Sequence, residues 1–287
     1  MKFLILFSVV VGLVAQAFGL GYHEDVGIPE AARIRQAETR QMSSRIIGGM
    51  PANYKDNPYL AGLIITLVSN QMSICSGTLV SQKKVLTAAQ CWSDGYQQGR
   101  KIEVVLGETQ LFYSYRREVT GISVHPGYTS KPLSNDLAML TLRYAVNNYN
   151  YMSPVTLPFE SDVNNTFAGI GAKVSGFGKT SDWSQVGPKT DQQSVIVPVI
   201  DSWYECYYGL PQRPAYNTDK ILCTSGANGF GTCGGDLGGP LVAPEYFNGT
   251  DVLIGVTSIQ SNMGCQNGFS TGYMRVTAYL SWIKRNL

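Results

Sequence analysis

The sequence predicts an all-β protein closed by a C-terminal helix, and three observations carry that reading. Short apolar runs alternate with glycine-rich turns from about residue 59 onward, the pattern of a sandwich or barrel. Six cysteines, at 75, 91, 206, 223, 233 and 265, follow an apolar N-terminus, which points to three disulfides in an oxidising compartment. At the end, Val276, Tyr279, Leu280 and Ile283 recur at helical spacing, with Lys284 and Arg285 in the last turn.

Taken in order, the chain opens with one lysine, an apolar run from Phe3 to Val14 and the small-residue spacing Ala15-Gln16-Ala17, so residues 1–17 read as a secretory signal. The run is short for a bilayer, and no other stretch approaches about 18 uninterrupted apolar residues. Residues 18–45 read as a propeptide. Within it, Gly21 to Ser44 is polar, charged and helix-permissive, and is expected to be dispensable to a core. At Arg45-Ile46-Ile47-Gly48-Gly49 the character changes to alternating apolar residues and glycine turns, which marks the domain boundary. Strands are expected at 59–67, 76–80, 84–86, 102–106, 138–142, 172–175, 193–199, 251–258 and 272–276.

A net charge of +2 offers no electrostatic footprint for nucleic acid or anionic membrane, and removing residues 1–45 leaves the balance near neutral. Metal binding is the rival reading of the cysteines. It is disfavoured because no C-x-x-C pair exists and the only histidines are His23 and His125. No metal or other cofactor is expected. Spacing alone leaves the cysteine connectivity open among 15 pairings.

Five segments then carry a resemblance: Ile46-Ile47-Gly48-Gly49; Thr87-Ala88-Ala89-Gln90-Cys91; Asn135-Asp136-Leu137-Ala138; Gly234-Gly235-Asp236-Leu237-Gly238-Gly239-Pro240; and the closing Arg275-Val276 to Trp282-Ile283. Each is weak alone; all five in order are specific. From Ile46 to Leu287 the chain resembles the trypsin/chymotrypsin family of serine proteases, of the insect digestive chymotrypsin-like kind. The resemblance implies two antiparallel six-stranded β-barrels, at 46–160 and 161–287, with the site in the cleft between them and the terminal helix outside. It also implies disulfides Cys75–Cys91, Cys206–Cys223 and Cys233–Cys265.

What it implies about chemistry is unusual. Glutamine, Gln90, stands where the family carries its catalytic histidine, and Leu237 where it carries the nucleophilic serine; Asp136 is an orphan third member. Serine attack needs a base that titrates near neutral pH, which an amide does not, and a leucine has no heteroatom to activate. His125, in Val124-His125-Pro126-Gly127, reads as a turn histidine, and His23 precedes the boundary; neither is expected to substitute. The rest of the apparatus is kept. Cleavage after Arg45 would free the Ile46 amine to pair with Asp236, a switch of the buried-ion-pair kind. The N–H groups of Gly235 and Leu237 are in place for an oxyanion hole. Ser258-Ile259-Gln260 marks the strand that would pair with a peptide, Gln260 stands at the pocket mouth where it could obstruct it, and Gly231 at the pocket base makes any pocket uncharged. Leu237 is expected to jut into the cleft. Sequons at Asn164 and Asn248 offer glycosylation.

The leading expectation is a secreted, non-catalytic serine protease homologue that binds a protein partner, a protease inhibitor or a peptide, acting as decoy or cofactor. The alternatives are an active chymotrypsin-like digestive endopeptidase, and a storage or structural protein using the fold as a carrier.

Overall fold

Leu-Ala-Gly-Leu-Ile-Ile-Thr-Leu and Met-Ser-Ile-Cys-Ser-Gly-Thr-Leu-Val-Ser are almost wholly buried, and as β1 (Leu60–Leu67) and β2 (Met72–Ser81) they pair antiparallel from Leu60 opposite Thr78 to Thr66 opposite Met72. Strands apolar on both faces must be covered on both sides. In the computed structural model, which describes residues 21–43, 56–147, 151–179, 193–200, 203–210, 218–227, 229, 231–261 and 264–287, they are. β1 and β2 close a barrel with β3 (Lys84–Thr87), β4 (Gly99–Leu106), β5 (Arg116–Val124) and β8 (Ala138–Leu142), in the order β1-β2-β3-β8-β5-β4. A small hairpin, β6 (Thr129–Ser130) with β7 (Leu133–Ser134), carries the chain toward Asp136.

The second sheet has six strands: β9 (Gly171–Gly176), β10 (Gln193–Pro198), β11 (Ile221–Thr224), β12 (Pro240–Phe247), β13 (Thr250–Ile259) and β14 (Thr271–Arg275). Their order is β10-β9-β12-β13-β14-β11. A bridge between Val199 and Thr224 joins its two edges, so this sheet also curls into a barrel. The two are welded by a shared apolar cluster that includes Tyr59, Leu86 and Met139 from one side and Val242, Leu253 and Met274 from the other. The C-terminal element packs into that cluster through Val276, Tyr279, Trp282 and Ile283. It begins as a 3-10 turn, Val276–Tyr279, and continues as an α-helix, Leu280–Arg285.

Besides the two-residue strands β6 and β7, three strands lie where none was expected. β5, Arg-Arg-Glu-Val-Thr-Gly-Ile-Ser-Val, is partly exposed along its length, so its apolar residues do not alternate cleanly. β11 is only four residues long, and β12 opens on a proline.

The larger correction concerns the N-terminal segment. It is not dispensable to a core. A π-helical turn, His23–Gly27, leads into α1 (Ile28–Ser43), which lies against β2. Ala31 and Ile34 join Ile64, Ile74, Val105, Leu111 and Phe112 in a cluster on the flank of the first barrel. Gly27, Glu30, Ala31, Ile34, Ala37 and Glu38 are buried, a stripe at helical spacing. Two of its members are acids and two are alanines, so the stripe does not stand out as apolar. The other helix is short, α2 (Trp203–Gly209); the C-terminal α-helix is α3. No helix among the described residues is long and apolar enough to cross a membrane.

Candidate functional site

Asp136 follows Asn135, whose φ of +48° turns the chain inward between β7 and β8, and the carboxylate is fully buried. A buried carboxylate needs donors, and it has them. Oδ1 accepts the Gln90 backbone N–H at 2.9 Å. Oδ2 accepts the Gln90 Nε2 amide at 2.7 Å and the Ser258 hydroxyl at 2.6 Å. Burial pushes the Asp136 carboxyl above the usual carboxylate range, while these donors pull it back down. Gln90 sits in a 3-10 turn, Ala89–Cys91, anchored to β2 by the Cys75–Cys91 disulfide. Its Nε2 also donates to the Ser258 carbonyl at 3.2 Å. The amide therefore ties the first barrel to the second, and it occupies a carbonyl that an added peptide strand would want.

Leu237 lies in the loop between Cys233 and β12. The loop is held on β2 by the Ser76 N–H donating to the Leu237 carbonyl at 2.8 Å and the Ser76 hydroxyl donating to the Gly235 carbonyl at 3.1 Å. Gly238, at φ +81°, permits this approach: a Cβ there would stand 2.2 Å from Thr87 Oγ1. Leu237 lines the cleft as expected, yet its side chain is only 2 % exposed. It belongs to the first barrel's core cluster, and Tyr22 of the N-terminal segment packs against that cluster. An apolar side chain at this position gains more from burial than from solvent.

Beside it, Asp236 accepts the N–H groups of Gly178 and Cys233, each at 2.8 Å. Burial pushes its carboxyl up to about 6, those two N–H groups lower it, Glu30 raises it and Arg33 lowers it. Arg45 and Ile46, the cleavage point and the proposed ion-pair partner, lie outside the described residues.

The structure does not bring the expected pocket residues together. Ser258, Ile259 and Gln260 line a cleft of about 310 Å³ with Gln90, Leu237, Tyr22 and Val26. Gly231 lines a different cavity, of about 280 Å³, with Asp236, Gly178 and Gln193. The Gln260 amide reaches across and donates to the Cys233 carbonyl at 3.0 Å, which braces the strand against the loop that would otherwise border the pocket.

A family profile described as Trypsin matches residues 46–283. The chain belongs to the trypsin family. It is 32 % identical to a collagenase of Hypoderma lineatum over 84 % of this chain and 87 % of that protein. It is 33 % identical to brachyurin of Leptuca pugilator over 83 % and 97 %. A solved collagenase structure superposes with a TM-score of 0.71 at 31 % identity, covering 84 % of this chain and 98 % of that one.

The trypsin-family barrels are stapled by Cys75–Cys91, Cys206–Cys223 and Cys233–Cys265. The second closes β11 onto α2 and the third holds the base of the Leu237 loop. Among the described residues no three His, Cys, Asp or Glu side chains converge on a metal site. His125 takes the Gly127 N–H on Nδ1 at 3.1 Å and packs its ring edge-on to Tyr279 and at a tilt to Trp282. Burial and Lys220 hold it below the ordinary histidine range.

Four residues that seat the N-terminal segment on this trypsin-family scaffold were not legible in the sequence: Tyr22, which lines the cleft, and His23, Glu30 and Glu38. The Tyr22 hydroxyl donates to the Ile74 carbonyl at 2.8 Å. His23 is fully buried, its N–H donates to Asp94 at 2.8 Å, and its Nδ1 shares a hydrogen bond with the Ser73 hydroxyl at 2.8 Å. The only available signal was the helical spacing of the buried stripe.

Proposed function

We propose that this protein is a secreted trypsin-family homologue that binds rather than cleaves, serving as a decoy for protease inhibitors or as a cofactor to an active protease. The family's reaction needs an imidazole between Asp136 and a serine hydroxyl. One observation supports the reading above the others. The amide of Gln90 fills the imidazole's place against Asp136 at 2.7 Å, and a buried Leu237 fills the serine's. An amide cannot shuttle a proton at neutral pH, and loss of either group alone costs on the order of 10⁶ in kcat in a serine protease.

Secretion through residues 1–17, cleavage after Arg45 and pairing of Ile46 with Asp236 complete the proposal. Exposed Asn164 and Asn248 are suited to carry glycans. The partner is a protein that recognises the protease scaffold.

The test is exposure of the purified chain, uncut and cut after Arg45, to a fluorophosphonate probe and to a panel of ester and peptide substrates. No covalent adduct and no turnover above a buffer control are expected. Stoichiometric labelling of one serine together with hydrolysis would establish an active endopeptidase and overturn the reading.

A further inference from the structure

We propose that the flank of the first barrel and the adjoining cleft form a helix-binding seat whose resident ligand is the segment Gly21–Ser43, and that this segment stays bound without a covalent link once the chain is cut beyond it. The seat does not depend on whether the cleft hydrolyses anything.

The contacts are those of a built site and not of a tether lying on a surface. At the start of the segment, Tyr22 and His23 are fixed to Ile74, Ser73 and Asp94 by the three hydrogen bonds given above. Gly27 lies so close to β2 that a Cβ would stand 2.0 Å from Ser73 Oγ, so no other residue fits there without displacing it. Glu30, 2 % exposed, accepts from its own helix's Arg33 at 2.6 Å and from Lys179 at 2.9 Å. Lys179 also donates its backbone N–H to Gly234 in the loop that carries Leu237. The segment therefore touches both barrels.

Further along, Ile34 is fully buried among Ile64, Ile74 and Leu111. Glu38, also fully buried, accepts the backbone N–H groups of Leu111 and Phe112 at 2.6 and 2.8 Å. If the segment left, those apolar side chains and two amides would lose their cover together. A seat of this kind selects an amphipathic helix with an apolar residue followed four positions later by a carboxylate. Since Tyr22 and Val26 line the cleft beside Leu237 and Gln260, the segment and any ligand of the cleft compete for the same space.

The test uses the full chain with a site for a sequence-specific protease inserted after Ser43, cut under native conditions. At micromolar concentration the segment is expected to co-elute with the barrels on gel filtration and to appear bound in native mass spectrometry. A labelled synthetic peptide of residues 21–43 should rebind the stripped barrels. The same peptide carrying Ile34→Asp should bind about 100-fold more weakly, whereas Arg35→Ala, at an exposed position, should bind like the parent. Immediate separation of the wild-type segment, or equal binding of the Ile34→Asp peptide, overturns the proposal. Should stripping unfold the barrels, amide exchange in the uncut chain decides: Ile34→Asp must remove protection from residues 28–40 while leaving β9–β14 unchanged, and unchanged protection across 28–40 refutes the seat. Hydrolysis is not a readout, so the outcome is independent of the functional reading.

Discussion

Replacing Gln90 by histidine and Leu237 by serine in one chain is expected to restore hydrolysis only once the N-terminal segment is out of the way. An imidazole in the Gln90 turn inherits a prepared partner, because Asp136 Oδ2 already accepts a side-chain N–H at 2.7 Å and is braced by Ser258 at 2.6 Å. Its Nδ1–H would replace the amide as donor and set the tautomer that leaves Nε2 free to act as base. The leucine change is the costly one. Leu237 is 2 % exposed in the first barrel's core cluster, so removing its branched end should cost about 2–5 kcal/mol. For a domain of this size, that lowers Tm by roughly 4–20 °C. The catalytic gain runs the other way: a complete pair of base and nucleophile is worth up to about 10⁶ in rate.

The assay is burst titration with an activated ester after cleavage at Arg45, on the double variant alone and with Ile34→Asp added to loosen the segment. The double variant is expected to be slow and the triple variant to show a burst at least about tenfold larger, on a ΔΔG of about 1.4 kcal/mol or more between closed and open clefts. A folded triple variant with no burst and no fluorophosphonate adduct would refute the argument that Asp136 and the Leu237 loop still hold working positions. Equal bursts in both variants would refute the claim that Tyr22 and its neighbours cover the site.

Two further outcomes follow from the same geometry. Asp136→Ala should destabilise the fold by about 2–4 kcal/mol in urea denaturation, because it strands the buried donors of Gln90 and Ser258; an unchanged midpoint would show that these bonds hold nothing. The second is a pH dependence. Asp236 titrates at about 6 in the folded chain against 3.8 ordinarily, so between those values the native state binds more protons than the unfolded state, and stability falls as pH rises. Glu30, Arg33, Lys179, Tyr22 and the amides of Gly178 and Cys233 surround it. Relative to Asp236→Asn, the uncut wild type should lose about 2 kcal/mol between pH 4 and 7, measured as the difference of urea midpoints, and a pH-independent difference would contradict the assignment.

How far the sequence reached differs by part of the molecule. Strands such as Ala138–Leu142 were readable because both their faces are buried and their ends are punctuated by polar turns. β5 was not, since Arg116 and Glu118 are paired across the sheet surface with Glu103 and Arg143 and look like a loop until those partners are known. At the site, Gln90, Asp136, Asp236 and Leu237 announced themselves through short local motifs. Glu38 could not, because its partners Leu111 and Phe112 lie 73 and 74 residues away and its value to the fold comes from their backbone, which carries no residue code. The same holds for His23 and Ser73, 50 residues apart. A charged, alanine-containing stretch reads as solvated unless the buried acids are matched to distant amides.

On the proposed reading, Gln90, Leu237 and the docked segment explain one another. A nucleophile and its base must face a cleft that admits substrate and water, so a permanent cover over them works against the reaction. With Gln90 the same position becomes a clamp, its amide joining Asp136 in the first barrel to Ser258 in the second. With Leu237 the loop gains an apolar contact inside the cluster on which Tyr22 rests. Each change removes a group that needs an open cleft and adds one that favours a closed one. A merely decayed site would show substitutions unrelated to their surroundings, such as a charge left unpaired or a cavity left unfilled. Here the amide finds a donor's geometry at 2.7 Å and the leucine is 2 % exposed. The coherence of the pair with Tyr22, His23 and Glu30 is what the proposed reading expects of a cleft rebuilt to hold its own helix.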